Sequence, residues 1–404
     1  MSFGAGGAGG SLDLGMDGLE GQVHPTKITV WLRPSERAQI VPNRSERLRY
    51  DHSGQPARAA HGTRGTMSSM KEVARLAGVS VGTVSNVLNR PEMVAPDTLR
   101  RVREAIERLG YVRNGSARQL RAGRSRTIGV VALDFGNPFF IDVLRGVETA
   151  AQQADVTVMV FNSNKDAGRE AGLLETFEEQ RPMGVLITPV NDRGEEERLS
   201  RLVARGIPVV RFDSSASHSG GCAVAVDDVL GGRLAGLHLR ERGHSRIAFA
   251  GGPFTVRQVR ERRDGLAGVL GPDDTLTVIP LPDLTVATGR TAGERIADLP
   301  PGERPTAVFC ANDLVAIGVL QEMTLRGLRV PADLAIIGYD DIDFAAAAAV
   351  PLSSIRQPRE QLGRTAATLL LEEANRGDEH EHRQVIFQPD LVARTSTTAR
   401  VRVN

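Results

Sequence analysis

A chain of 404 residues has room for two or three domains and a large buried core. Its net charge of +1 conceals an imbalance: residues 67–126 carry 12 lysines and arginines against 5 acidic residues, whereas 127–404 carry 30 against 38, so only the small module is suited to meet a polyanion. Two distant cysteines, Cys222 and Cys310, form no CxxC or Cys/His cluster in the sequence, which argues against a disulfide scaffold and a zinc finger and leaves no metal or cofactor expected.

Residues 1–66 open glycine-rich (MSFGAGGAGGSLDLGMDGLEG) and continue polar, arginine- and proline-containing, without sustained periodicity. Disorder is expected there, except that KITVWL (27–32), which holds the only tryptophan, Trp31, has strand character. The segment reads as a regulatory tail or, preferably, either as a dispensable extension or as the product of a start placed too far upstream, with Met67 or Met70 the true start. No apolar run approaches the roughly 18 residues a membrane helix needs. No signal-peptide pattern opens the chain, so a cytoplasmic protein is expected.

From Ser69 the pattern turns helical. Ser69 and Glu72 have the capping-box spacing at the start of a first helix. Val73, Ala74 and Ala77 form its inner stripe, and Gly78 relaxes the turn that follows. Ser80 caps a second helix, which points Val84, Val87 and Leu88 inward and leaves Val81, Gly82, Ser85, Asn86 and Asn89 outside. Pro96 opens a third helix with Leu99, Val102, Ile106 and Leu109 as core stripe and Gly110 as its stop. Two short helices joined by a glycine-containing turn are a helix-turn-helix; a helical bundle that binds protein is the alternative. The outer face of the second helix suits a major groove: asparagine binds adenine bidentately and Val81 can touch a thymine methyl. The hydroxyls of Ser80, Thr83 and Ser85 suit phosphates, which position rather than specify.

Beyond Thr127, short apolar runs (TIGVVAL, VTVMVF, GVLIT, IPVVR, RIAFA, TAVFC, LAIIG) alternate with helical stretches such as 229–242, 258–269, 312–326 and 358–374. This βαβ rhythm predicts an α/β fold with parallel sheets, and the number of repeats predicts two lobes. Open α/β sheets bind ligands at the carboxyl ends of their strands, so the candidates are strand-end residues: Asp134, Phe135, Asn137, Phe139, Phe140, Phe212, Asp213, Asn312, Asp313, Tyr339, Asp340 and Asp341. Carboxylates and amides grip hydroxyls while phenylalanine covers a sugar's apolar face. Asp134, Asn137 and Asn312 are equally placed to cap the following helices, and Asp341 to structure a turn. GGRLAG (231–236) lies within a helical pattern and reads as close helix packing rather than a phosphate loop.

Three segments, VARLAGVSVGTVSNVLN, NGSARQL and RTIGVVALDFGNPFF, followed in order by GGRLAGLHLRERGHSRIAFAGGP, CANDLVAIGVLQEM and IIGYDDIDFA, resemble the lactose/galactose repressor family of bacterial regulators over nearly all of 70–404. After the extension expected to be disordered (1–66), the resemblance implies a three-helix DNA-binding domain with a hinge helix (67–126) and a two-lobed, periplasmic-binding-protein-like sensor (127–404). It implies a homodimer reading a pseudo-palindromic operator, and a small effector, a sugar, held between the lobes. Val81, Gly82 and Asn86 fall where the family reads bases; Ser80, Thr83, Ser85 and Asn89 fall near phosphates. Leu120 falls where a leucine wedges into the minor groove, kinking the duplex at a cost of a few kcal/mol that added contacts offset. Asp340 and Arg262 fall at effector contacts, with Asn312 and Asp134 next; Arg260 and Arg263 are near competitors. Departures are Gly82, which has no side chain to offer, Asn86 where arginine is common, and Arg113 and Gly115 beside the hinge, which predict a hinge ordered only on DNA. Two further readings stand beside this one. Strand-end aspartates (Asp134, Asp213, Asp340) would suit a carbohydrate-acting enzyme, but no nucleophile elbow, Walker motif or zinc-ligand spacing accompanies them. A sugar-binding protein without a DNA role would leave the basic module unexplained.

Overall fold

A computed structural model of the chain describes residues 28–30, 69–111, 125–190, 196–212 and 221–398. The expected disorder of the extension and the hinge segment with Leu120, Arg113 and Gly115 lie outside these residues, as does Asp213. The described residues fall into two compact units, one holding 69–111 and the other 126–398 with the short strand β1 (Ile28–Val30).

The first unit is three helices, α1 (Met70–Ala77), α2 (Val81–Asn89) and α3 (Pro96–Leu109). Ser69 and Glu72 form the reciprocal capping box, and Gly78 and Gly110 close α1 and α3 in the left-handed region that glycine adopts without strain. Val73, Ala74, Ala77, Val84, Val87, Val102 and Ala105 make the core, with Leu88, Leu99, Ile106 and Leu109 packed half-buried around it.

The second unit has two sheets. Strands β2 (Thr127–Ala132), β3 (Thr157–Asn162), β4 (Gly184–Ile187), β5 (Val209–Phe212), β6 (Ala223–Val226) and β12 (Gln384–Phe387) form one wholly parallel sheet in the order β12-β6-β5-β4-β2-β3. The other runs β1-β8-β7-β9-β10-β11-β13, from β7 (Arg246–Gly251), β8 (Thr275–Pro280), β9 (Ala307–Cys310), β10 (Ala335–Asp340), β11 (Ser353–Arg356) and β13 (Asp390–Val392), with only β13 antiparallel. In each sheet the order reverses beside the long strand that comes first in the chain, β2 or β7, and that is where crevices open in such folds. The sequence pattern had not marked β6, β8, β11, β12 or β13.

Helices cover both sheets: α4 (Pro138–Gln153), α5 (Ala167–Gln180), α6 (Glu196–Ala204) and α12 (Arg359–Arg376) the first, and α7 (Asp228–Glu241), α8 (Arg257–Ala267), α9 (Val286–Ala297), α10 (Asp313–Leu325) and α11 (Asp343–Ala347) the second. Three helix pairs meet glycine to backbone. A Cβ on Gly232 would strike the Arg262 carbonyl, and one on Gly265 the Val229 carbonyl, so α7 and α8 are in backbone contact. Gly146 and Gly363 do the same for α4 and α12, and Gly289 and Gly318 for α9 and α10. The GGRLAG segment is therefore helix packing. The chain crosses between lobes three times: at 227 before α7, at 357 before α12, and at 388–389 between β12 and β13. Asp227 N donates to Phe387 O at 2.9 Å, tying the first crossing to the approach of the third.

Candidate nucleic-acid interface and effector cleft

On α2 the inward residues leave a polar outer face. Ser80, Val81, Gly82, Asn86 and Asn89 are exposed, Thr83 and Ser85 half-buried. Ser80 is the cap: its Oγ accepts from Thr83 N at 3.0 Å and lies 2.9 Å from Thr83 Oγ1. Asn89 Nδ2 donates to Ser85 Oγ at 3.2 Å, which fixes that amide one turn along the same face. Gly82 is not demanded by crowding, since a Cβ there would sit 3.6 Å from Ser80 Oγ in ordinary contact.

In the sensor, residues that leave the carboxyl ends of strands in one lobe meet those of the other. Asn137 does two jobs. Its Oδ1 caps α4 by accepting from Phe139 N at 3.0 Å, and its Nδ2 reaches across to Asp340 Oδ2 at 3.0 Å. Asp340, the last residue of β10, is buried and held at φ +100°, a strained conformation for a side chain with a Cβ. Gln357 Nε2, on the second crossing, donates to its other oxygen at 2.7 Å, and Arg359 Nη1 donates to its carbonyl at 2.6 Å and to that of Asp341. Burial pushes the Asp340 carboxyl above its ordinary range, against the opposing pull of Arg262, Asn137, Gln357 and Arg359.

Arg262 is the buried arginine of its cluster. Its Nε donates to Asp228 Oδ1 at 2.7 Å, its Nη1 to Ala311 O at 2.8 Å, and its guanidinium carbon stacks 3.6 Å from the Tyr339 ring centroid. Burial alone would disfavour the cation, but Asp228, Tyr339 and Asp340 outweigh it and raise the pKa. Its competitors face elsewhere: Arg260 binds the Phe254 and Thr255 carbonyls, and Arg263 pairs with Asp264. Asn312 acts as a cap, accepting from Val315 N at 3.0 Å while Nδ2 goes to Leu284 O at 3.3 Å. Asp341 structures the turn, bound by Arg356 at 2.8 Å and Arg394 at 2.6 Å. Phe139, Phe140, Thr188, Phe212, Leu362 and Gln357 line a small, mostly apolar pocket on the first lobe beside this cluster.

A second cross-lobe link was absent from the sequence reading. Lys165, after β3, places Nζ 2.7 Å from Asp134 Oδ2 in its own lobe and 2.6 Å from Asp283 Oδ1 in the other. Burial opposes the ammonium, yet the two carboxylates prevail and raise its pKa. Asp134 Oδ1 also accepts from Gly136 N at 2.8 Å, so Asp134 turns the loop and anchors the bridge rather than capping α4. The only signal for Lys165 was its rarity, as one of three lysines, Lys27, Lys71 and Lys165. Asp228 and Gln357 carried none, because their partners are set by topology.

Residues 69–114 match the family described as bacterial regulatory proteins, lacI family, and residues 237–397 match the periplasmic binding protein-like domain. The HTH-type transcriptional repressor PurR of Aliivibrio fischeri is 34% identical over 342 residues, 83% of this chain and 100% of that protein. The chain belongs to the lacI family. Among solved structures, the lac repressor dimer bound to operator and the anti-inducer ONPF superposes with a TM-score of 0.69 at 26% identity, covering 82% of this chain and 99% of that one. The complex of the regulator CelR with cellobiose gives 0.57 at 30% identity, covering 81% and 99%. As a lacI-family protein the chain is a DNA-binding transcriptional repressor with a ligand-binding sensor, working as a dimer on operator DNA, and its relatives are repressors rather than enzymes. Asp134 is held by Lys165, and Asp340 by Asn137 and Gln357. Among the described residues no helix is long and apolar enough to cross a membrane.

The expectation that no Cys/His cluster exists does not hold once the chain is folded. A Cys/His cluster does form: Cys222, Glu373, His380 and His382 bring one donor atom each within 4.8 Å of one another.

Proposed function

We propose that this repressor senses a sugar between its sensor lobes and releases or grips its operator accordingly. The observation that carries the reading is the Asn137–Asp340 hydrogen bond across the cleft, 3.0 Å long and set beside Arg262. A sugar hydroxyl donating to Asp340 takes the place of the Asn137 amide, while Arg262 Nη2 supplies a donor to a neighbouring oxygen. Phe139 in the adjoining pocket covers an apolar sugar face. The binding of cellobiose by the similar regulator CelR supports this class of ligand. Ligand affinity then depends on lobe geometry, and operator and effector change each other's affinity by the same factor.

On the DNA side, two copies read a pseudo-palindrome, with Val81 and Asn86 on bases, Ser80, Thr83, Ser85 and Asn89 toward phosphates, and Leu120 as the wedge. The protein acts in the cytoplasm, at the nucleoid. The domain division is 1–66, 67–126 and 127–404, and rotation of the lobes changes the spacing of the two hinges. A flat heterocycle is the second reading of the effector, favoured by three phenylalanines, Phe139, Phe140 and Phe212, around one pocket.

The test is a thermal-shift panel of mono- and disaccharides beside nucleobases and nucleosides, followed by selection of bound genomic fragments at physiological salt with and without each hit. A saccharide hit abolished by Asp340→Ala, with operator binding intact, is expected. A hit confined to heterocycles overturns the sugar reading and leaves the cleft as the site. Asp340→Ala binding every hit as tightly as the wild type refutes the cleft.

A further inference from the structure

Cys222, buried just before β6, lies against a segment that returns to the same sheet edge 158 residues later. Its Sγ is 3.1 Å from His380 Nε2 and 3.8 Å from His382 Nδ1. These two histidines alternate along an extended stretch, so both rings project from one side; they stand edge to face, 5.6 Å apart. Glu373, in the last turn of α12, brings Oε2 to 3.8 Å from His382 Nδ1. That oxygen is buried, and Glu373 shares a side-chain hydrogen bond with the Cys222 thiol, so carboxylate and sulfur already face one another.

We propose that Cys222, Glu373, His380 and His382 form a tetrahedral site for a divalent transition metal, with Zn2+ the best match. A thiolate, two neutral imidazoles and a carboxylate supply two negative charges to a dication and are the donor types zinc prefers over the all-oxygen sets of calcium and magnesium. Metal–nitrogen and metal–sulfur bonds of about 2.0–2.3 Å place tetrahedral ligands about 3.3–3.8 Å apart. The separations of 3.1 and 3.8 Å from sulfur bracket that range, and all four donor atoms lie within 4.8 Å of one another, so closing by about 1 Å completes the shell. Arg383 N already donates to Cys222 Sγ at 3.4 Å, the kind of outer contact that orients a ligating thiolate. His382 is half exposed, which gives the ion a path from solvent. The site sits at the amino ends of β6 and β12, the opposite edge of the sheet from the effector cleft. A metal here ties the returning α12–β12 segment to the lobe it completes, and its binding energy adds to the stability of that lobe.

The full chain, stripped with a chelator, is titrated with Co2+ and then Zn2+. The expected result is a thiolate-to-cobalt charge-transfer band with the intense visible bands of a tetrahedral ion, saturating at one Co2+ per protomer and erased by one Zn2+. Zn2+ raises the thermal midpoint of the stripped protein. Cys222→Ser loses the charge-transfer band. His382→Ala, at a half-exposed position that leaves folding intact, weakens Zn2+ binding by more than about 100-fold, the most that loss of an outer contact alone produces. Absence of the band, its persistence in Cys222→Ser, or unchanged affinity in His382→Ala overturns the assignment.

Discussion

Replacing Lys165 by methionine keeps the aliphatic stem and removes the ammonium that joins Asp134 at 2.7 Å to Asp283 at 2.6 Å. Charge-assisted hydrogen bonds reach about 1.5–3 kcal/mol each when dry. Here about a third of Lys165 and of Asp283 is exposed, so the bridge as a whole contributes about 1–2 kcal/mol to the closed lobes. Its loss also leaves two carboxylates facing one another, no more than about 5 Å apart because both reach the same nitrogen. Their repulsion is about 3 kcal/mol at an effective dielectric of 20 and roughly 1 kcal/mol after screening. Together the substitution moves the lobe equilibrium toward the open form by about 2–3 kcal/mol, roughly 30- to 150-fold. Dyes on Arg169→Cys and Ala287→Cys, exposed residues of opposite lobes, report the separation by energy transfer, while buried Cys222 and Cys310 stay unlabelled. Lys165→Met lengthens the mean distance, and adding Asp134→Asn with Asp283→Asn recovers part of the change. An inter-lobe distance unaltered by Lys165→Met would refute the argument that this bridge holds the lobes.

Three further perturbations probe other links. Gly232→Ala puts a Cβ within 2.9 Å of the Arg262 carbonyl carbon and forces α7 from α8; urea unfolding should show a loss of about 2–3 kcal/mol, whereas Gly172→Ala, with nothing within 4 Å, should gain about 0.5–1 kcal/mol. Equal effects would mean the helices are not in backbone contact. In the DNA-binding unit, Gly82→Ala should stabilise α2 by about 0.5 kcal/mol, read as a raised thermal midpoint; a lowered one would show that the space beside Ser80 is not there. His238 is buried against Thr397 at 2.7 Å, and burial, with Arg242 and His244 nearby, lowers its pKa from 6.5 to about 4. The unfolded chain takes up a proton below about pH 6.5 and the folded one only near pH 4, so stability is full above 6.5 and falls by up to about 3 kcal/mol on acidification to 4. His238→Gln should flatten that slope between pH 7 and 4.5, and an unchanged slope would assign it to other groups.

The three-helix unit was legible because every signal in it is local: a capping box, glycine stops and a stripe of period 3.6. The strands that escaped notice carry their reasons in their composition. Ser353 and Ser354 of β11 are fully buried, but as hydrogen-bond partners of Thr397 and Asp313, so apolar periodicity does not mark them. Ala223–Val226 is only four residues, half of them alanine, too short for apolar periodicity to mark even behind the Ser/Gly cluster that precedes it. In the cleft, Asp340 and Asn137 were readable as strand-end polar groups, and the alternatives of cap and contact proved compatible in Asn137. Lys165 with Asp283, 118 residues apart, and Cys222 with His380, 158 apart, were not readable. Their meeting depends on how whole strands are ordered, which no short spacing encodes.

The three crossings between lobes have a bearing on how the protein is made. The first lobe begins at β2 but lacks α12 and β12 until the chain has been synthesised past Phe387, after the strands of the other lobe, apart from β13, have emerged. The second lobe in turn waits for β13, and for Ser396 and Thr397, which bind Ile336, Ser353 and His238. The first lobe is unfinished until the chain has been made past Phe387, and the second until it has been made past Thr397. A nascent chain therefore holds two incomplete sheets at once, and a stop or frameshift near residue 356 unseats both lobes rather than trimming one.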